Sequence, residues 1–73
     1  MAFVMVNAEL GIEKQLAKEL SGIDGVKEVN IVYGVYDLTV KVEAESLDKL
    51  KEIISKKIRS LEGVRSTLTM VVI

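Results

Sequence analysis

The sequence contains neither cysteine nor histidine among its 73 residues. These two absences exclude disulfide bonds, zinc sites of the usual Cys/His kind, thiol nucleophiles, imidazole bases and haem ligation. Most enzyme chemistry is excluded with them, so we expect no catalytic role, no metal site and no cofactor. A chain of this length forms a single domain with a small core, and such domains often gain stability from self-association.

The chain also lacks a charge excess and a long apolar segment. It has 10 basic and 11 acidic side chains, a formal net charge of −1 and a pI near 5.4. Balanced charge provides no field for releasing counterions from nucleic acid, so we expect no direct binding of DNA or RNA. No stretch approaches the roughly 20 apolar residues that span a bilayer, and the apolar start is too short for a signal peptide. We therefore predict a cytoplasmic protein with no membrane partner.

What the sequence does have is a regular order of strand and helix patterns. Short β-branched or alternating segments predict four strands, at Ala2–Ala8, Val26–Tyr33, Tyr36–Glu43 and Val64–Ile73. Apolar residues three or four positions apart predict two amphipathic helices. The first, which ends at Gly22 or Gly25, has the apolar stripe Ile12, Leu16, Leu20 and Ile23. The second, which Ser46 can cap and Gly63 can end, has the stripe Leu47, Leu50, Ile54, Ile58 and Leu61.

Only the dipeptide Gly34-Val35 separates the second strand from the third. A two-residue loop with glycine first favours a type II′ hairpin turn, because that position needs a positive φ. The predicted register sets Tyr33 opposite Tyr36 and Ile31 opposite Leu38. Both tyrosines then follow the apolar face of the hairpin towards the helices.

The order of elements, βαββαβ, predicts the fold class. With right-handed crossovers it gives an α+β, ferredoxin-like domain, in which a four-stranded antiparallel sheet of order 4-1-3-2 carries two helices on one face. The other face of this sheet is expected to be exposed and mixed. We predict that the last strand contributes Thr67, Thr69, Val71 and Ile73 to it, and the first strand either Phe3 and Met5 or Val4 and Val6. An apolar patch of this kind marks an interface, so we expect a homo-oligomer formed through sheet faces.

Two strings of residues resemble a known family. IVYGVYDLTVKV at Ile31–Val42, and GV followed by STLTMVVI within Gly63–Ile73, are similar to the effector domain of the leucine-responsive/asparagine regulator (Lrp/AsnC) family. That module is called the RAM domain, for regulation of amino-acid metabolism. The resemblance covers residues 1–73 and implies a single RAM-like effector-binding and oligomerisation domain.

The resemblance also implies a function. Family members usually carry an amino-terminal helix-turn-helix domain, so a chain that begins at the first effector-domain strand looks like a stand-alone effector domain without a DNA-binding domain. Such domains form dimers through their sheets, assemble into rings and bind an amino-acid effector between dimers. The expected role is amino-acid sensing in the transcriptional regulation of amino-acid metabolism, with full-length regulators of the same family as further partners.

The family pattern also implies ligand-binding residues. They lie in the hairpin turn and on the last strand, and they are Gly34, Val35, Tyr36, Asp37, Thr67 and Thr69. Asp37 can accept hydrogen bonds from a ligand ammonium group, while turn N–H groups and threonine hydroxyls can donate to a carboxylate. Many relatives have a polar residue where this chain has Val35. Because the first strand separates the two groups by about 10 Å in the order 4-1-3-2, we expect the ligand to lie between subunits.

Two other functions fit the same residues. One is a ligand-free oligomerisation scaffold, and the other is an ACT-like regulatory subunit of a metabolic enzyme.

Overall fold

The computed structural model describes residues 1–73, which form a four-stranded antiparallel sheet and two helices. In chain order the elements are β1 (Ala2–Ala8), α1 (Glu13–Ser21), β2 (Val26–Ile31), β3 (Leu38–Val42), α2 (α-helical over Leu47–Glu52 and π-helical over Ile53–Ile58) and β4 (Val64–Val71). The strand order is β2-β3-β1-β4, with every pairing antiparallel. This is the predicted order 4-1-3-2 counted from the other edge, and the ferredoxin-like α+β fold is confirmed. No helix has the length and apolar character needed to cross a membrane.

The core lies between one face of the sheet and the two helices. Every second residue of β1 and β3 is buried, because successive side chains of a strand point to opposite faces. The helices bury their apolar stripes against these strands. The buried residues are Ala2, Val4, Val6, Ala8, Leu16, Leu20, Leu38, Val40, Val42, Leu50, Ile53, Ile54 and Ile58.

Helix α2 begins as predicted but ends earlier. The Ser46 hydroxyl accepts a hydrogen bond from the Lys49 N–H at 3.2 Å, which confirms the predicted cap. The helix then widens into a π-helix, shown by the Arg59 N–H that donates to the Ile54 carbonyl at 3.0 Å. It ends at Ile58 rather than continuing to Gly63. A π-helical turn takes more residues than an α-helical turn, and Ile54 and Ile58, which lie four residues apart, are both buried in it.

The predicted two-residue hairpin turn is wrong, although part of its register is right. Ile31 does pair with Leu38, and both strands stop there, so the connection is the six-residue loop 32–37. The Val32 N–H donates to the Asp37 carbonyl at 2.9 Å across the base of this loop. Tyr33 consequently forms no ladder pair with Tyr36, and its side chain is fully exposed instead of facing the helices.

The prediction of which β4 residues face away from the helices is also wrong. Residues directly opposite each other in an antiparallel pair point to the same face. Three β4 residues expected on the open face lie opposite buried residues of β1, in the pairs Ala2 with Val71, Val4 with Thr69, and Val6 with Thr67. Thr67, Thr69 and Val71 are therefore on the helix side of the sheet, and Ile73 lies beyond the end of the strand.

The open face carries the other half of β4. Leu68 lies opposite Met5, and Met70 lies opposite Phe3, on the side of the sheet away from the helices. Leu68 and Met70 are 47% and 45% exposed. These four residues, Phe3, Met5, Leu68 and Met70, form what we call the open-face patch. The sequence left open whether β1 contributes Phe3 and Met5 or Val4 and Val6 to this face. Because Val4 and Val6 are buried, Phe3 and Met5 lie on the open face.

Gly63 joins α2 to β4 at a position where a side chain would be strained. Its φ is +96°, and a Cβ added there would lie 2.0 Å from Cδ1 of Ile12. We expect Gly63→Ala to lower the free energy of unfolding by about 1–3 kcal/mol, because an L-residue is strained at this φ and Ile12 must move. Urea denaturation at one protein concentration measures the loss.

Gly22→Ala is the matched control for that substitution. Gly22 has a φ of −82°, and the nearest atom to an added Cβ is the Glu19 carbonyl oxygen at 3.5 Å. We expect this variant to be neutral or slightly more stable, since alanine restricts the unfolded chain. Equal denaturation midpoints for the two variants would contradict the argument from φ and space.

Candidate functional site

Asp37 is held against the end of β1 by main-chain and side-chain hydrogen bonds. Its N–H donates to the Val6 carbonyl at 2.9 Å, which continues the β1–β3 pairing one step past Leu38. Its carboxylate Oδ2 accepts from the Ala8 N–H at 2.8 Å, in a partly buried contact. The carboxylate thus occupies the place that a strand carbonyl would take. This Asp is positioned by the backbone of β1 and has part of its hydrogen-bonding capacity left.

On the other side of β1, the pairing with β4 is irregular. Asn7 pairs with Ser66, but the next residue of β1, Ala8, pairs with Val64. Arg65 is therefore an extra residue on β4, as in a β-bulge. Bulges redirect side chains and recur beside binding sites, because the inserted residue breaks the alternation of the strand.

The bulge and Asp37 border one surface depression. Its volume is about 380 Å³, and it is lined by Asn7, Ala8, Asp37, Arg65 and Ser66. We call it the Asp37–Arg65 depression. Its lining residues carry a carboxylate, a guanidinium, a hydroxyl and an amide, and the Asn7 Nδ2 donates to the Ser66 Oγ at 3.0 Å. Groups of both charges can bind a ligand that itself carries both charges.

Asp37 also lines a second depression, on the side of α1. This one has a volume of about 470 Å³ and is bordered by Glu13, Lys14, Ile31, Val32, Tyr33 and Asp37. Ile31 is half exposed, and Tyr33 is fully exposed. An apolar group bound next to Asp37 on this side would find both side chains accessible.

The structure does not bring all the predicted ligand-binding residues together. Gly34, Val35 and Tyr36 lie in the loop that leads to Asp37, and Val35 is 84% exposed. Thr67 and Thr69 are separated from Asp37 by β1, as expected from the strand order. They lie on the helix side of the sheet, so the open face does not present them.

Three residues beside Asp37 were missed in the sequence, namely Asn7, Arg65 and Ser66. Arg65 directly follows Gly63-Val64, and a strand read as strictly alternating leaves it as an ordinary surface residue. Nothing in the local sequence marks the bulge, because the register shift arises from pairing with β1.

The chain is similar to proteins of known family. The family model described as the Lrp/AsnC ligand binding domain matches residues 1–73. A curated but uncharacterized HTH-type transcriptional regulator from Pyrococcus furiosus is 37% identical over 73 residues, which cover 96% of this chain and 49% of the regulator. The chain thus spans about half the length of that relative.

A second curated relative is an enzyme. Homocitrate synthase from Saccharolobus islandicus is 48% identical over 58 residues, which cover 80% of this chain and 12% of the enzyme. The similarity is therefore confined to a small part of the synthase.

Among solved structures, a hypothetical protein from Pyrococcus horikoshii superimposes with a TM-score of 0.93 at 39% identity, covering 99% of this chain and 87% of that one. Sequence, strand order and superposition agree over the whole chain. The chain belongs to the Lrp/AsnC ligand-binding domain family of transcriptional regulators.

Proposed function

We propose that this domain binds an α-amino acid beside Asp37 and passes the signal on through self-assembly, in the transcriptional regulation of amino-acid metabolism. The observation that carries the proposal is the Asp37 carboxylate, which is held against β1 by the Ala8 N–H in a residue that borders two depressions. Only Oδ2 takes part in a hydrogen bond within the chain, to the Ala8 N–H. Oδ1 is left to accept a hydrogen bond from a ligand ammonium group.

The other predicted ligand-binding residues contact the ligand in this proposal from the loop and from a second protomer. The N–H groups of Gly34, Val35 and Tyr36 lie on an exposed loop beside Asp37 and can donate to the ligand. Thr67 is partly buried and Thr69 exposed, on the outer strand, so that their hydroxyls can reach a ligand held by a neighbouring protomer. The ligand would then lie where protomers meet, and its binding would favour one state of assembly.

The assembly itself is proposed to begin with a homodimer formed through the open-face patch of Phe3, Met5, Leu68 and Met70. These residues are contiguous on two neighbouring strands, and the two on β4 are nearly half exposed. Contiguous apolar surface on a small domain is typical of an interface. We further propose that these dimers associate into a ring and that the domain associates with full-length regulators of the family.

The experiment is a thermal-shift screen with each of the twenty amino acids. A ligand that binds only the folded state adds about 2.7 kcal/mol of stability at a hundred times its dissociation constant. For a domain of this size that corresponds to a rise in Tm of about 10 °C or more. A flat result for all twenty amino acids would contradict the proposal and favour the ligand-free scaffold.

Asp37→Asn is the variant that tests the role of the carboxylate. The amide oxygen can still accept the Ala8 N–H, so we expect a loss of stability of about 1 kcal/mol or less. The charge that pairs with the ligand ammonium is lost, and we expect about 10-fold or greater weakening of amino-acid binding by calorimetry.

Asp24→Asn serves as the control for that variant. Asp24 is an exposed residue beside Gly25, whose carbonyl accepts the Glu43 N–H at the opposite end of β3 from Asp37. Its removal should leave affinity unchanged. Unchanged affinity in Asp37→Asn as well would show that Asp37 serves only to join the strands.

A second candidate function rests on the match to homocitrate synthase. In that case the domain regulates a metabolic enzyme, as an ACT-like subunit does. Co-sedimentation separates the two functions: the regulatory proposal predicts association with the Pyrococcus furiosus regulator, and the second candidate predicts association with the Saccharolobus islandicus synthase.

A further inference from the structure

The irregular pairing of β4 leaves Arg65 in a bulge, where the regular alternation of the strand is interrupted. Asn7 and Ala8 are consecutive on β1, but their partners Ser66 and Val64 leave Arg65 between them without a partner of its own. Arg65 borders the same depression as Asp37, although β1 lies between β4, which contains Arg65, and β3, which Asp37 precedes.

Both charged groups still have hydrogen-bonding capacity. The Ala8 N–H occupies Oδ2 of Asp37, and the Asn7 amide donates to the Ser66 hydroxyl. None of the side-chain hydrogen bonds in the structure uses the Arg65 guanidinium. The residues that line the depression therefore include an anionic acceptor, Asp37, and a planar, multivalent donor, Arg65.

We propose that Arg65 binds the α-carboxylate of the ligand, so that Asp37 and Arg65 of one chain hold the two charges of a zwitterion. This inference rests on the proposed function and adds to it the group that selects for a free carboxylate. The planar guanidinium binds carboxylates through paired hydrogen bonds. The threonine hydroxyls of a second protomer then add to this contact rather than supply it.

The assignment predicts which ligands the domain accepts. An amino acid presents an ammonium to Asp37 and a carboxylate to Arg65, whereas its α-amide presents only the ammonium. A charge-assisted hydrogen bond is lost in the amide, and the guanidinium is left facing a neutral group. The contacts involve only the main-chain groups of the ligand, so the preference should hold across different side chains.

The test titrates the full chain by calorimetry with each of the twenty amino acids of the thermal-shift screen and with the α-amide of each. For every amino acid that binds, we expect the wild type to prefer it over its amide by about 10- to 100-fold. In Arg65→Gln the affinity for the amino acid should fall by a similar factor, and the preference over the amide should disappear. Arg65→Lys, which keeps the charge, should retain part of the preference.

Arg59→Gln is the matched control, since Arg59 is the other arginine and lies exposed at the end of α2. It should keep the wild-type preference. If Arg65→Gln remains folded and still prefers amino acids over amides, the carboxylate is bound elsewhere and this inference is overturned, while the proposed function stands. If none of the twenty amino acids binds the wild type, both are overturned.

Discussion

Leu68→Glu is expected to convert the assembled protein into monomers at micromolar concentration. Leu68 lies near the centre of the open-face patch, opposite Met5 and next to Met70, and it is 47% exposed in a single chain. In a two-fold symmetric interface the same patch meets its own copy, so each new carboxylate is buried or placed near its symmetry mate. An unpaired buried charge costs several kcal/mol, which corresponds to at least about 100-fold weaker association.

The measurement is molar mass by light scattering or sedimentation over a range of concentrations. Leu47→Glu is the control, because Leu47 has nearly the same exposure, 52%, but lies in the first turn of α2 on the other side of the sheet. A glutamate in the first turn of a helix is well tolerated. A monomeric wild type, or an equal effect of the two variants, would contradict an interface at the open-face patch.

Leu38→Ala is expected to remove a large share of the stability of the domain. Leu38 is fully buried on β3, and it pairs with Val6 of β1 and with Ile31 of β2. Leucine-to-alanine substitutions at such positions cost about 3–5 kcal/mol, because they remove apolar contacts and leave a cavity. At roughly 0.05–0.15 kcal/mol per residue, a domain of 73 residues has only about 4–11 kcal/mol in total.

Thermal and urea denaturation at a fixed protein concentration measure this loss, which should lower Tm by about 10 °C or more. Ile31→Ala is the control, since Ile31 faces Leu38 across the hairpin but is 50% exposed. Its cost should be less than half as large, because much of its apolar surface is already in water. Similar costs for both variants would mean that Ile31 is covered in the assembled protein.

The secondary structure and topology could be predicted from local sequence patterns. Alternation along β1 and β3 and the apolar spacing of α1 are properties of neighbouring residues, and the order βαββαβ with right-handed crossovers leaves few sheet arrangements. Local signals also marked the Ser46 cap and the positive φ of Gly63. The end of α2 could not be predicted in the same way, because Leu61 continues the helical spacing although the helix ends at Ile58.

The candidate site could be predicted from the sequence only in part. Asp37 stood out because a carboxylate next to a turn suits an ammonium group and because the string around it resembles a family motif. Its hydrogen bond to Ala8 joins residues 29 positions apart, which no local pattern contains. Arg65 was missed for the same reason, since its place beside Asp37 depends on two strands pairing with opposite sides of β1.

The sequence by itself determined the fold class, the strand order and the family, and it made Asp37 a candidate ligand-binding residue, because each follows from periodicity, turn residues or motif. Only the tertiary structure decided which face of β4 meets the helices. Hydrophobicity favoured Leu68 and Met70 for the core, yet pairing with Val4 and Val6 turns Thr67 and Thr69 to the helix side. Alternation divides a strand into two faces, but the register with its neighbour decides which face is buried, and the same register sets the bulge that places Arg65 beside Asp37.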